Sequence, residues 1–239
     1  MTIIKINVTK KLFIMKKLLF ALILIMGFVT SETISAQTKT IYVTPEEAKI
    51  FYNGHEVGNG TYQIKFRRTD DFAVFKFEAP GYITKKVKVF RTNPNKTLTY
   101  TLLRDEAMAN SVGGEDGVDI ANKFFVVKAK SGLTEMDVWK RLMNIAINHF
   151  ENIETMDKDA GWIKTAWVYD DFPGQTVRTK LEIRSQYSTD DELTYKVKIY
   201  SEISDGNSKK DEAFTQYDRV LRKYNDIITE LQTTLGHGF

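Results

Sequence analysis

The sequence predicts a chain of two folded parts, an all-β part followed by an α+β part. Three observations predict this organisation. Residues 37–103 contain short alternating segments separated by turn residues, residues 104–121 are polar and have no periodicity, and residues 122–239 combine longer alternating segments with amphipathic ones. Alternation with a period of two is typical of strands with one buried face, whereas apolar spacings of three and four are typical of helices.

The all-β part is predicted from six short segments with strand character. These segments are residues 40–43, 48–52, 61–66, 72–78, 83–91 and 96–103. Asn53-Gly54 is a strong signal for a tight hairpin turn, and Pro80-Gly81 marks a second turn. Short strands at this spacing favour a small antiparallel β-sandwich.

The turn residues of this region also carry a family resemblance. Three short motifs follow one another in the order found in that family: Val43-Thr44-Pro45, Asn53-Gly54 and Ala79-Pro80-Gly81-Tyr82. Residues 41–103 therefore resemble a PEGA domain, although the usual Pro-Glu-Gly-Ala run is present as Pro45-Glu46-Glu47-Ala48, without the glycine. The resemblance implies a PEGA-like β-sandwich that acts in the cell envelope as a binding module or as a spacer between other parts. It implies no catalytic residue.

The α+β part is predicted to follow a linker over residues 104–121. A strand over 123–129 precedes a helix that begins after Thr134, where Asp137 completes a capping-box-like start. Three strands follow, over residues 161–169, 175–187 and 193–203, and the apolar spacing predicts a long final helix over 209–235. The predicted order is β-α-β-β-β-α, an antiparallel sheet with helices on one face.

This second region carries a looser resemblance. Asp137-Val138-Trp139 opens the helix, and Gly161-Trp162-Ile163-Lys164-Thr165-Ala166-Trp167 forms the first long strand. Residues 123–235 are similar to the helix-grip modules of BamC-like envelope lipoproteins. The chain has no cysteine, so the lipid-bearing residue of those lipoproteins has no counterpart here.

The first 36 residues are predicted to be a secretory signal peptide. Lys16 and Lys17 precede an apolar run over residues 18–29, and Ser35-Ala36-Gln37 supplies a small residue at the expected cut after Ala36. Because Ile34 stands three residues before that cut, cleavage a few residues away is the alternative, and Met15 is the alternative start. The run is shorter than the roughly 20 residues that span a bilayer. Export to the periplasm or the outer-membrane periphery is therefore expected, with no transmembrane segment in the mature chain.

Charge gives no argument for nucleic acid as a partner. The leader holds five of the 34 Lys and Arg and one of the 31 Asp and Glu, which leaves 29 against 30, a net charge of −1. A near-neutral chain lacks the basic excess typical of nucleic-acid-binding proteins.

The sequence predicts no catalytic, cofactor-binding or metal-binding residue. The three histidines have no ligand spacing, and the paired carboxylates lie at turns, where Asp is common for structural reasons. Two sets remain as a candidate binding surface: a basic set and an aromatic set. They are Lys65, Arg67, Arg68, Lys86 and Lys88, and Trp139, Trp162, Trp167 and Tyr169. Solvated edge strands and core packing are the respective structural alternatives.

The function expected from these features is non-enzymatic binding or scaffolding in an envelope assembly. A protein partner is expected, and the basic set would suit a lipid headgroup or an anionic glycan. The first alternative is a carrier of a hydrophobic small molecule or lipid in the groove between sheet and helix. The second is a glycan-acting hydrolase that uses two loop carboxylates.

Overall fold

The structure is a computed structural model that describes residues 37–113, 120–186 and 193–236. The predicted signal peptide over residues 1–36 lies outside the described residues. The architecture is mostly β, with several antiparallel sheets and few helices. Within the described ranges, no helix is both long and apolar enough to cross a membrane.

The first module contains seven strands in two sheets. The strands are β1 (Thr38–Thr44), β2 (Lys49–Tyr52), β3 (His55–Asn59), β4 (Thr61–Lys65), β5 (Phe72–Glu78), β6 (Lys85–Phe90) and β7 (Thr97–Thr101). One sheet has the order β4-β1-β7 and the other β3-β2-β5-β6. Asn53 and Gly54, at φ of +51° and +83°, form the predicted tight turn between β2 and β3.

Both sheets of this module bury their apolar faces in one core. Ile41 and Val43 come from the first sheet, and Phe75, Phe77 and Val89 come from the second. The expectation of purely antiparallel pairing is wrong at one place, because β1 pairs in parallel with β7. The chain reaches β7 by crossing from β6 in the other sheet, and it then runs in the same direction as β1.

Regular structure continues into the stretch that the sequence predicts as a linker. The short helix α1 (Glu106–Ala109) begins at Asp105, whose carboxylate accepts a 2.8 Å hydrogen bond from the backbone N–H of Met108. The strand β8 (Ser111–Gly113) follows and pairs with β16 (Arg219–Leu221). Ala107 is fully buried in the core of the second module. Residues 105–113 are thus attached to that module rather than forming an extended linker.

The second module is built around two long antiparallel strands. Its remaining elements are β9 (Phe124–Lys128), α2 (Glu135–His149), β10 (Ile153–Asp157), β11 (Trp162–Thr165), β12 (Val168–Phe172), β13 (Gln175–Gln186), β14 (Thr194–Asp205), β15 (Phe214–Gln216) and α3 (Ile227–Leu235). β13 pairs with β14 along its whole length. β11 and β12 share the outer edge of β13, and β9 and β15 share the outer edge of β14.

Both longer helices pack against one face of this sheet. Leu181, Ile183 and Val197 point to that side and form one core with residues of α2 and α3. α2 begins with the predicted capping box, in which Thr134 and Asp137 satisfy each other's backbone N–H groups. The prediction of helices on one face of an antiparallel sheet is confirmed for α2 and α3.

The prediction of one long helix over residues 209–235 is wrong. The chain there forms a 3-10 turn at Asp211–Ala213, the strands β15 and β16, a second 3-10 turn at Arg222–Tyr224, and then the nine-residue α3. Residues 214–216 pair with β14, and residues 219–221 pair with β8. These sheet edges satisfy backbone groups that a helix would otherwise satisfy within itself.

Candidate functional site

The sheet of the second module has a face opposite α2 and α3, which we call the helix-free face. Successive side chains of a strand point to opposite faces. The odd-numbered residues of β13 and β14 pack on the helices, so the even-numbered ones lie on the helix-free face. Cross-strand register adds neighbouring residues to the same face. The members of this face that the argument uses are Phe124, Val126, Trp162, Lys164, Trp167, Tyr169, Arg178, Lys180, Glu182, Arg184, Lys196, Lys198, Tyr200, Glu202 and Phe214.

Arg178 lies between two aromatic rings on this face. Its guanidinium carbon is 4.4 Å from the ring centroid of Trp167 and 4.0 Å from that of Phe214. The Nε of Arg178 donates a 2.8 Å hydrogen bond to the carboxylate of Glu202, and its Nη1 donates one of 2.5 Å to the carboxylate of Asp211. Although burial alone would lower the pKa of Arg178, the hydrogen bonds to Asp211 and Glu202 outweigh it and raise that pKa. The guanidinium is therefore held in one position by rings and carboxylates together.

Two lysines share the ring of Tyr200. The Nζ of Lys198 is 4.2 Å from its centroid, and the Nζ of Lys180 is 5.0 Å away and also 4.2 Å from the centroid of Trp167. Burial lowers the pKa of Lys180, and the neighbouring charge of Lys164 lowers it further. The centre of the face therefore concentrates positive charge between aromatic rings.

Glu182 is the buried carboxylate beneath these cations, with 2% of its surface exposed. It accepts hydrogen bonds of 3.0 Å from the indole Nε1 of Trp162, 2.7 Å from the hydroxyl of Tyr200 and 2.6 Å from Nε of Arg184. Burial by itself raises the pKa of Glu182, but the hydrogen bonds from Tyr200, Arg184 and Trp162 outweigh it and hold that pKa below its ordinary value. Burial and the bond to Glu182 raise the pKa of Tyr200 to about 12. The network fixes three surface side chains in place.

Three of the four predicted aromatic site residues lie on this face. Trp162 and Trp167 are half-buried there, and Tyr169 is exposed and packs edge-on against Phe214 at 5.9 Å between centroids. Trp139 is instead buried in the core on α2. The sequence places this aromatic set beside a sheet–helix groove; the structure has Trp162, Trp167 and Tyr169 on the opposite side of the sheet.

The predicted basic set lies in the first module. Lys65 is at the end of β4, Arg67 and Arg68 are in the following loop, and Lys86 and Lys88 are on β6; all five are exposed. Lys86 also lines a cleft of about 380 Å³ between Ile83 and Leu103 of the first module and Asp205 of the second. β6 is the edge strand of its sheet, which fits the structural explanation for outward-facing lysines.

Sequence reasoning missed the centre of the site. Arg178, Lys180 and Glu182 on β13, and Lys198 and Tyr200 on β14, are absent from the predicted set although they form its middle. The available signal was strict alternation. Charged or aromatic residues stand at positions 178, 180, 182 and 184 and at 196, 198, 200 and 202, between residues that are mostly apolar. That pattern indicates a two-sided sheet whose outer face is charged.

The aspartates of β12 are engaged in ion pairs. Asp170 pairs with Lys223 at 2.7 Å, and Asp171 pairs with Lys209 at 2.8 Å. In the part of the chain that the structure describes, no three His, Asp or Glu residues are grouped closely enough to hold a metal ion. Glu182 is enclosed by its donors. The side chains on this face can bind, and the carboxylates near it are already engaged.

The space between the sheet and the helices is filled. Leu142 of α2 and Leu231 of α3 are fully buried there against Leu181 and Ile199 of the sheet. Phe150 stacks on Tyr224 with 4.9 Å between centroids and nearly parallel rings. A groove for a hydrophobic ligand would have to displace these side chains.

Comparison with known proteins gives no further assignment. No protein-family model matches this chain, and no curated protein matches it significantly.

Proposed function

We propose that this chain is a non-enzymatic protein of the cell envelope that binds a partner protein through the helix-free face. The single observation that carries the proposal is the alternation of rings and cations on that face, held by buried and fully bonded charges. Trp, Tyr and Arg are the residues that dominate binding energy at protein interfaces. The predicted signal peptide of residues 1–36 and the resemblance of the first module to a PEGA domain support an envelope location.

Preorganisation supports a binding role. Arg178 and Glu182 are 6% and 2% exposed, and each is fixed by at least two hydrogen bonds. Side chains that are already ordered lose little conformational entropy when a partner binds.

Exposed apolar residues at the rim of the face support the same role. Phe124 and Val126 on β9 are 52% and 49% exposed and lie opposite Lys198 and Lys196 of β14. Apolar side chains next to an ordered aromatic surface are typical of protein interaction sites. In this proposal the first module spaces or anchors the second, as its resemblance to a PEGA domain implies.

The test compares two matched double variants of the tagged full-length chain. Phe124→Ser with Val126→Ser removes exposed apolar surface from the helix-free face. Met136→Ser with Ile147→Ser removes exposed apolar surface from α2 on the other side, where these side chains are 43% and 53% exposed. Neither pair belongs to the core, so both variants should fold, which thermal unfolding checks.

Crosslinking in cells, envelope fractionation and mass spectrometry then identify what each protein captures. We expect wild type and the α2 variant to be found in the envelope fraction and to capture one dominant protein, and the β9 variant to lose it. Equal capture by the β9 variant and wild type would refute the role of the face, and recovery in the cytoplasm would refute the envelope assignment.

A further inference from the structure

The helix-free face has a charge pattern that defines the chemistry of its partner. Its two central carboxylates are engaged, because Glu182 is enclosed by three donors and Glu202 is bound to Arg178. The exposed carboxylates beside them are paired as well, Asp211 with Arg178 and Asp171 with Lys209. Lys196, which is exposed, and Lys198, which is half-exposed, therefore leave an excess of positive charge on the β14 side of the face. Interfaces match potentials of opposite sign, so the surface that binds here must be negative.

The lysines on β14 also define a spacing. Lys196 and Lys198 are two residues apart on a regular strand and point to the same face, which separates their Cα atoms by about 6.6 Å. An extended polypeptide presents side chains on one side at the same interval. Acidic residues at every second position of such a segment can therefore meet both lysines at once.

The aromatic rings favour this occupant over a stacked base or sugar. The ring of Trp167 already has the cations of Arg178 and Lys180 4.4 Å and 4.2 Å from its centroid. Tyr200 carries Lys180 and Lys198 in the same way. Stacking needs a free ring face, whereas a carboxylate needs a donor and the positive edge of a ring, which this face offers.

We infer that the helix-free face binds an extended acidic segment of the partner protein, with carboxylates at alternate positions that pair with Lys196 and Lys198. This inference rests on the proposed function and adds the chemistry of the partner. Lys180, half-buried between the rings of Trp167 and Tyr200, adds positive charge next to the two lysines.

The test uses fluorescent peptides of about twelve residues, one with alternating Glu and Ser and one with the same composition in two blocks. Fluorescence anisotropy measures their affinity for the full chain without its signal peptide. Lys196→Gln with Lys198→Gln removes the pair. Lys86→Gln with Lys88→Gln is the control, because these lysines are also two residues apart on an exposed strand, β6.

We expect the alternating peptide to bind more tightly than the block peptide and to lose affinity as salt is added. The Lys196 and Lys198 variant should bind it at least about tenfold more weakly, the scale of one charge-assisted hydrogen bond. The Lys86 and Lys88 variant should bind as wild type does.

Equal binding of both peptides, equal loss in both variants, or no binding to wild type would each overturn the inference. Tighter binding of polygalacturonate than of the alternating peptide would assign the face to an acidic glycan and overturn it as well. If the peptides fail while the β9 variant still loses the captured protein in cells, the proposed function stands and the acidic segment alone is refuted.

Discussion

Replacement of Glu182 by leucine should destabilise the second module strongly, because the carboxylate is the shared acceptor of the helix-free face. Leucine keeps most of the buried volume but leaves the indole N–H of Trp162 and the hydroxyl of Tyr200 without an acceptor. A fully buried donor left unsatisfied costs about 1–3 kcal/mol. Because Trp162 and Tyr200 are only half-buried, each should cost about 1.5 kcal/mol, in the lower half of that range. The side chain of Arg184 is 55% exposed and can turn to water, so it adds little. We expect a loss of about 3 kcal/mol in the free energy of unfolding.

Glutamine at the same position is the matched control. Its amide oxygen can still accept from Trp162 and Arg184, and the hydroxyl of Tyr200 can rotate to accept from the amide nitrogen. The remaining cost is the loss of charge in these hydrogen bonds, about 1 kcal/mol. A difference of about 2 kcal/mol should therefore separate Glu182→Leu from Glu182→Gln.

Urea unfolding followed by tryptophan fluorescence measures both variants. The three tryptophans of the chain, Trp139, Trp162 and Trp167, all belong to the second module, so the signal reports on this module. With a slope of about 2 kcal/mol per molar urea, the leucine variant should unfold at a midpoint about 1.5 M lower than wild type. A leucine variant as stable as wild type, or a glutamine variant as unstable as leucine, would refute the role given to Glu182.

Four further predictions concern pH, backbone conformation, packing and processing. The folded pKa of Glu182 lies below its ordinary value of 4.5, so its stabilisation is complete above that value and is lost as the pH falls through the folded pKa. Urea midpoints of wild type should therefore fall more between about pH 5 and pH 3 than those of Glu182→Gln; parallel curves would contradict this. Gly60→Ala should lower the melting temperature far more than Gly81→Ala. Both glycines have positive φ, but a Cβ at Gly60 would lie 2.4 Å from the carbonyl oxygen of Glu46, whereas a Cβ at Gly81 would meet open space. Equal shifts by calorimetry would refute this steric reason. Phe150→Ala removes the ring stacked on Tyr224 and should cost about 3–5 kcal/mol in urea unfolding; a loss under about 1 kcal/mol would show that this site is not tightly packed. Mass spectrometry of the exported protein should give Gln37 as the first residue, and an uncleaved chain would contradict the signal peptide.

Local signals in the sequence predicted the elements that local physics controls. β5 is observed at Phe72–Glu78, as its alternation predicts, and the capping box at Thr134 is present at the start of α2. Asn53-Gly54 forms its turn because both residues tolerate positive φ. The capping box and the turn depend on interactions within a few residues of one another, whereas β5 is recognisable from its own alternation even though it pairs with the distant strands β2 and β6.

Elements that depend on distant partners were not predictable in this way. Phe214, Tyr217 and Leu221 have spacings that fit a helix, yet residues 214–216 and 219–221 complete sheet edges supplied by β14 and β8. β8 lies in the stretch that composition predicts as a linker, more than a hundred residues earlier in the chain. Strand pairing over such distances in the chain overrides the helix-like spacing of the apolar residues, because in short segments that spacing is compatible with a helix and with a strand.

The candidate site was partly predictable for the same reason. The sequence identified Trp162, Trp167 and Tyr169 as an aromatic group, but assigned it to the side of the helices. Which face they occupy depends on the register of β11 and β12 with β13, since a slip of one residue would turn every side chain to the other face. Glu182 became recognisable as the shared acceptor once that register placed it beside Trp162 and Tyr200.

Site-specific photo-crosslinking in intact cells tests the central claim, that the helix-free face holds the partner protein, most directly. A photoreactive amino acid is placed at position 216 on the helix-free face, where Gln216 pairs with Glu202, or at position 144 on α2; Gln216 and Asn144 are both exposed. The account predicts one crosslinked envelope protein from position 216 and none of that product from position 144. Crosslinks from position 144 with none from position 216 would contradict it.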